Sequence, residues 1–267
     1  VENKFFYAIY LQNFTVLANF SIFMNKNYQK LIKSLHQKKN RQAENLFLVE
    51  GTKSVVELLQ SNLQIHAIFY TENFYATYHK YLAQNTAYQA ITSQEILQQQ
   101  GTLQSNDGAI AVVHIPKPTT FSLKNYALAL DDIRDPGNLG AMIRIADWYG
   151  ISQIICSQNT VDWYNPKVII ASMGSFLRIQ PHYCNLADFL TNIQTTTYGM
   201  FLEGTNLHSI EFAKQGIIIV GNESNGISSE VAKTIQQKIT IQRFGEAESL
   251  NAAMATAIVC DNLRRSL

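Results

Sequence analysis

Three short segments combine residue types that could do chemistry with spacings that would hold them in place. The first, Asp135-Pro136-Gly137-Asn138-Leu139-Gly140-Ala141-Met142-Ile143-Arg144, reads as a turn running straight into a helix. Asn138 suits its N-cap, and Gly140 and Arg144, four apart, share a helix face, so the missing side chain at Gly140 could clear space beside the guanidinium. The second, Gly221-Asn222-Glu223-Ser224-Asn225-Gly226, follows the apolar run Ile217-Ile218-Ile219-Val220. Its two glycines would let backbone amides approach a ligand closely, and Glu223 supplies a carboxylate able to pair Arg144. The third, Glu248-Ser249-Leu250-Asn251-Ala252-Ala253, enters the last helix with Ser249 as a candidate N-cap. Asn251 in a first helical turn is not what propensity favours, which points to another use for its amide. Each segment taken singly also reads as a capped helix or a plain turn.

Positioning these segments requires a scaffold. Residues 115–120, Ile115-Pro116-Lys117-Pro118-Thr119-Thr120, form a linker, because two prolines so close cannot continue a helix or an interior strand. Over 121–267 the pattern predicts strands at 127–130, 153–156, 176–179, 198–202, 217–220 and 238–241. Helices are expected at 139–148, from Pro166 with Asn165 as cap, and at 250–265. The fold class is α/β, and alternating βα units imply a mostly parallel sheet covered on both faces. Residues 24–114 read as a smaller α/β domain with strands at 46–49, 65–70, 88–91 and 109–114. Its helices are expected at 25–39, 53–60 and 74–82, with a short one opened by a Thr92/Glu95 capping box. The aromatic and apolar residues 1–23 fit neither a membrane span nor a signal peptide and are expected to be an N-terminal extension outside the fold, one that need not belong to the natural product.

With 46% hydrophobic and 15% charged residues in 267, the composition excludes a wholly disordered chain. Lys and Arg number 21 against 20 Asp and Glu, so an anionic partner must meet a local patch and not a global field. One such patch lies on the first helix and its exit, where Lys30, Lys33, Lys38, Lys39 and Arg41 are candidate phosphate contacts. The three cysteines form no C-x-x-C pair, which argues against a disulfide scaffold or zinc knuckle and fits a reducing compartment. Six scattered histidines without H-E-x-x-H propose no metal, and no G-x-G-x-x-G follows the first strand after the linker.

Together, N-x-G-x-x-x-R, G-x-E-x-x-G and S-L-N-A-A, in that order and in those strand contexts, resemble the SpoU (TrmH-like) branch of the SPOUT RNA methyltransferases. The basic unit at 24–114 is similar to that branch's L30e-like RNA substrate-binding domain. The resemblance implies a trefoil-knotted SPOUT methyltransferase domain over 121–267 that binds S-adenosylmethionine. It further implies a cytoplasmic homodimer, without membrane or metal, that methylates a ribose 2′-hydroxyl of RNA. Ribosomal RNA, 23S in particular, is the expected substrate; a tRNA 2′-O-ribose methyltransferase and an RNA-binding module without turnover are the alternatives. By motif position, Arg144 would be the main catalytic residue, assisted by Asn138, Glu223, Ser249 and Asn251, some contributed across the dimer. The cofactor would lie against Gly221, Ile241 and Leu250, with Asn222 and Gly226 beside it. Where the family commonly carries Ile-Pro-Met, this chain has Ile241-Gln242-Arg243, which adds a backbone donor and a charge near the cofactor.

Overall fold

Two strands made almost wholly of apolar residues, Tyr126–Leu130 and Gly216–Val220, are buried along their whole length, as expected for central strands of a parallel sheet covered on both sides. In the computed structural model, which describes residues 20–21 and 24–266, they lie at the heart of the second of two units, Val1–His114 and Ile115–Leu267.

The first unit contains β1 (Phe20–Ser21), β2 (Leu46–Glu50), β3 (Ile65–Tyr70), β4 (Tyr88–Ile91) and β5 (Ala109–His114), in the order β1-β4-β3-β5-β2. β5 runs antiparallel to β2 and β3, while β4 is parallel to β3 and to β1. Apart from Phe20–Ser21, which adds an edge strand, the expected extension 1–23 lies outside the described residues. The helix expected at 25–39 is two helices, Lys26–Ser34 and Lys38–Glu44. The break is stabilised by side chains that take the freed carbonyls. Asn40 Nδ2 donates to the Ser34 carbonyl at 2.9 Å, and the Arg41 guanidinium donates to those of Leu35 and His36 at 2.8 and 3.0 Å. The short helix Gln94–Gln100 is capped by Ser93 and not by Thr92; Ser93 Oγ accepts from the Ile96 amide at 3.4 Å.

The second unit contains β6 (Tyr126–Leu130), β7 (Gln153–Ser157), β8 (Gln180–Cys184), β9 (Thr196–Asn206), β10 (Gly216–Val220) and β11 (Gln237–Thr240). They form one all-parallel sheet in the order β11-β9-β10-β6-β7-β8. A strand expected at 176–179 is absent. Met173 and Gly174 adopt left-handed φ values of 51° and 92°, the chain turns through a 3₁₀ segment at Ser175–Leu177, and the strand begins at Gln180. There β8 lies at the sheet edge, where Pro181 costs no interior ladder bond. Helix Pro166–Ser172 is capped by Asn165, whose Oδ1 accepts from the Lys167 amide at 3.0 Å.

Gly140 is buried on helix Pro136–Trp148, facing helix Pro166–Ser172. A Cβ there would sit 2.4 Å from that of Ala171 and 2.9 Å from the Val168 carbonyl oxygen. Its missing side chain therefore serves helix packing and not, as the four-residue spacing suggested, space beside Arg144. Gly140→Val is expected to destabilise the protein by roughly 1–3 kcal/mol, the usual cost of overpacking. Thermal melting checks this; an unchanged midpoint would show that the two helices separate freely.

Candidate active site

The first two chemistry-bearing segments follow the central parallel strands β6 and β10, where open α/β sheets collect their ligands, and the third follows the edge strand β11. The loop after β6 and the loop after β10 are tied together. The Asp131 amide donates to the Val220 carbonyl at 2.9 Å, and the buried Asp131 carboxylate accepts from the Ser228 amide at 2.8 Å. Asp132 follows in a left-handed conformation, φ 59°, with its amide on Ser157 Oγ at 2.8 Å. Its carboxylate pairs Arg134 at 2.8 Å, and this hydrogen bond and charge hold the Arg134 guanidinium more firmly protonated than usual.

Within 221–226 the turn is closed by reciprocal backbone bonds between Asn222 and Gly226, 3.0 and 2.9 Å. Asn222 reinforces it twice over. Its Oδ1 accepts from the amides of Ser224 and Asn225 at 2.9 and 3.1 Å, while its Nδ2 donates to the Asp132 carbonyl at 2.8 Å. Gly221 is required by proximity: a Cβ would fall 2.2 Å from the Gly226 carbonyl carbon and 2.3 Å from the Ile227 nitrogen. Gly226 has φ +66° and open space where a Cβ would be. The two glycines thus play different parts, one for a close approach and one for a left-handed turn.

Helix Pro136–Trp148 is capped by Asp135, not Asn138: Asp135 Oδ1 accepts from the Asn138 amide at 2.8 Å, with Pro136 next in the chain. This frees the Asn138 side chain. Its Nδ2 donates to Glu223 Oε1 at 2.5 Å, and its Oδ1 accepts from Asn251 Nδ2 at 2.8 Å. Asn251 in turn is the residue that caps the final helix, Ala252–Ser266; its Oδ1 accepts from the amides of Ala253 and Met254 at 3.0 and 3.3 Å. The cap expected at Ser249 is therefore two residues further on. Asn251, Asn138 and Glu223, one from each segment, form a continuous hydrogen-bonded row within a single chain. Sequence reasoning missed Asp131 and Asp132, and it read Asp135 only as the start of the turn and not as the helix cap.

The other candidates stand apart from this row. Glu223 is engaged by Asn138 and makes no ion pair with Arg144, which is exposed and without a hydrogen-bond partner among the described residues. Ser249 and Leu250 are exposed and Ile241 is half-buried, on a stretch from 241 to 251 outside helix and strand. In the first unit Lys30, Lys33, Lys38 and Lys39 are exposed, whereas Arg41 is only 2% exposed and is committed to helix-end carbonyls. That removes Arg41 from the candidate phosphate contacts. Cys156, Cys184 and Cys260 are free thiols, and among the described residues no group of His, Cys, Asp and Glu could hold a metal ion. Among those residues, too, no helix is long and apolar enough to cross a membrane.

A parallel sheet carrying these three segments at one end defines a class, and the chain belongs to the SpoU rRNA Methylase family, whose model matches residues 125–261. Residues 26–111 match the MRM3-like substrate binding domain. The chain is similar to the 23S rRNA (guanosine(2553)-2′-O)-methyltransferase RlmP of Bacillus subtilis, with 30% identity over 242 residues covering 87% of this chain and 94% of that one. Among solved structures it is similar to an AdoMet-bound rRNA methyltransferase from Sinorhizobium meliloti, with 26% identity, TM-score 0.82, and 93% and 98% of the two chains covered. The SpoU methyltransferase AviRb from Streptomyces viridochromogenes, solved with AdoMet, shares the fold at 21% identity and TM-score 0.79, covering 91% of this chain and 98% of that one.

The two roles of Asn251 can be separated. Asn251→Ala should cost about 1 kcal/mol or more, since it removes a helix cap as well as a side-chain bond. Asn251→Asp keeps the cap but places an oxygen against Asn138 Oδ1. It should therefore show non-additivity with Asn138→Ala of roughly 0.5 kcal/mol or more in a double-mutant melting cycle. Strict additivity would show that the row carries no coupling.

Proposed function

We propose that this protein is an S-adenosylmethionine-dependent methyltransferase acting on a ribose 2′-hydroxyl of 23S ribosomal RNA. The observation that carries the reading is the Asn251–Asn138–Glu223 row, which gathers all three motifs at one end of the sheet. The names of three relatives, from Bacillus subtilis, Streptomyces viridochromogenes and Neisseria meningitidis, specify 23S rRNA 2′-O-methylation and support ribosomal RNA over tRNA. The trefoil threading and a cytoplasmic location are proposed with it.

The site suits the methyl donor. Gly226 leaves open space where a side chain would stand, Leu250 is 45% exposed, and the backbone near Ile241 and Leu250 lies outside helix and strand, leaving main-chain groups for a nucleoside. Gly221, Asn222, Gly226, Ile241 and Leu250 would hold it. Gln242 and Arg243 are exposed, so the departure at these positions alters the rim and not the buried frame. When bound, S-adenosylmethionine supplies an electrophilic methyl group.

The chain's part is positioning. Arg144, exposed and free of partners among the described residues, is available to clamp an RNA phosphate and polarise the 2′-hydroxyl. A guanidinium is a poor general base, so the hydroxyl proton leaves to the phosphate or to solvent. Asn138 and Asn251 act as positioning residues that keep Glu223 and the two loops in register, and Ser249 lies on the adjoining rim. A homodimer is proposed from the second unit's surface, where the packed helices Pro136–Trp148 and Ala252–Ser266 leave Trp148 84%, Met254 60% and Ile258 37% exposed.

Arg144→Ala should lower turnover at least ~100-fold while calorimetry finds donor affinity within about twofold, the pattern of a group that acts on the acceptor alone. A variant with full rate removes Arg144 from this role. Absence of donor binding to the wild-type protein would instead favour the module without turnover. The dimer is tested separately: Trp148→Glu with Met254→Glu should halve the mass measured by light scattering, and a wild-type monomer would refute it. Loss of one 2′-O-methylated 23S rRNA nucleotide from cells lacking the protein identifies the substrate.

A further inference from the structure

The first unit holds a cleft of about 760 Å³ that none of the motifs uses. Its volume is within the range of small-ligand sites, roughly 300–1,000 Å³. It opens where β3 and β4 end and is walled by the starts of the helices Glu72–Leu82 and Gln94–Gln100 and by the loop before β5. The walls are fixed. Thr71 Oγ1 accepts from the Phe74 amide at 3.2 Å and donates to the Asp107 carbonyl at 3.0 Å, and the Thr71 amide donates to the Gly108 carbonyl at 3.0 Å.

The lining chemistry is selective. It is rich in hydroxyl and amide groups and includes two exposed carboxylates, Glu72 and Asp107. Among the described residues no Lys, Arg or His lines it, so a phosphate entering would meet only like charge. Thr92, also in the lining, is 5% exposed, and its buried hydroxyl oxygen has no hydrogen-bond partner among the described residues. An unpaired buried hydroxyl is costly, and a ligand group that reached it would remove that cost. Tyr78, half-buried in the lining, is held against Phe74 with ring centroids 4.9 Å apart, and Phe74 against Tyr70 at 6.0 Å. A flat, uncharged group with several hydrogen-bond donors satisfies all of these features together. Unpaired RNA bases are recognised in this way, by stacking on an aromatic ring and hydrogen bonding along an edge. Carboxylates accept only, and guanine offers two adjacent donors, N1–H and the N2 amine.

We propose that the cleft between the Glu72–Leu82 and Gln94–Gln100 helix starts is a base-recognition site that takes an unpaired guanine of the substrate RNA. It stacks the base on Tyr78 and pairs its donors with Glu72 and Asp107. The proposal rests on the reading of the protein as an RNA methyltransferase, and it places recognition apart from the exposed lysines. Gln100, at the far end of helix Gln94–Gln100 from the cleft, lies beside His36, on the turn between the two basic helices.

The test is fluorescence anisotropy of the full chain, without methyl donor, on two labelled single-stranded oligoribonucleotides: an all-uridine strand and the same strand with one central guanine. The guanine strand should bind roughly tenfold tighter, the value of one stacked and paired base. Tyr78→Leu, and Glu72→Gln combined with Asp107→Asn, should each erase that preference while leaving uridine-strand binding unreduced. Thr92→Val, nearly isosteric, should lower the preference several-fold with a melting midpoint that does not fall and rises if the unpaired hydroxyl is costly in the free protein. Lys30→Glu with Lys33→Glu should weaken both strands alike and flatten the salt dependence. Equal binding of the two strands by the wild-type protein, or a preference that survives the cleft variants, overturns the proposal. Free guanosine competing as well as the strand would assign the cleft to a free nucleoside and overturn the RNA assignment. Donor calorimetry separates the two readings: loss of the guanine preference with donor binding intact removes only the cleft, and guanine preference without donor binding removes only the methyl-transfer reading.

Discussion

The row from Asn251 through Asn138 to Glu223 is the constraint on which the second unit's site depends. Each member has two obligations. Asn251 caps a helix and donates to Asn138; Asn138 accepts from Asn251 and donates to Glu223; Glu223 stands on a turn that Asn222 holds to the Asp132 carbonyl. The entry of one helix, the exit of a strand and the start of the last helix are thereby locked in mutual register by side chains that are themselves partly open to solvent. Asn138 and Asn251 suit this work because a short side chain loses less rotamer freedom when fixed than a long one, and an amide both donates and accepts.

That lock functions only because the sheet behind it is rigid. β6 and β10 are fully buried and adjacent, so the ends from which the two loops leave are fixed by ladder bonds on both sides. Glycine supplies the remaining tolerance. Gly140 admits the neighbouring helix, and Gly221 admits the returning backbone at a separation that any Cβ would fill. Neither glycine contributes chemistry itself: Gly140 serves helix packing, and Gly221 lets the turn that carries Glu223 close. Arg144, by contrast, has no hydrogen-bond partner among the described residues, which suits a group whose partner arrives with the substrate.

Much of this was legible in the sequence, and the reasons for the exceptions are specific. Most strands of both sheets followed from apolar runs bounded by turn residues; the exceptions are Phe20–Ser21, expected to lie outside the fold, and 176–179, where a largely apolar run fills a 3₁₀ turn after two left-handed residues and the strand begins at Gln180. Hydrophobicity reports burial and cannot by itself separate a buried turn from a buried strand. The motifs were found, but caps were misassigned in each of three helices, by two or three residues at Asn138 and Ser249 and by one at Thr92. At Asn138 the cap passed to Asp135 because tertiary contacts with Glu223 and Asn251 claim the Asn138 side chain. Arg41 shows the same effect: its spacing matched a basic surface stripe, and a break in the helix drew it inward to free carbonyls.

The charge balance gives these details a common consequence. A chain with a net charge of +1 has little long-range attraction for RNA, and with Arg41 withdrawn its local basic patch is smaller than the sequence implies. Phosphate contacts supply most non-specific affinity and make it steeply salt-dependent, so a protein with few of them must draw more of its binding from groups that recognise bases and shape. A cation-free cleft with carboxylates at its rim, an aromatic ring in its wall and an unsatisfied hydroxyl in its lining is suited to that kind of recognition. It contributes nothing to non-specific attraction, and whatever it binds must lose its own hydration to enter. Selectivity then comes from the cost of burying a base that leaves the hydroxyl and carboxylates unpaired, which is larger than the gain from any single added contact.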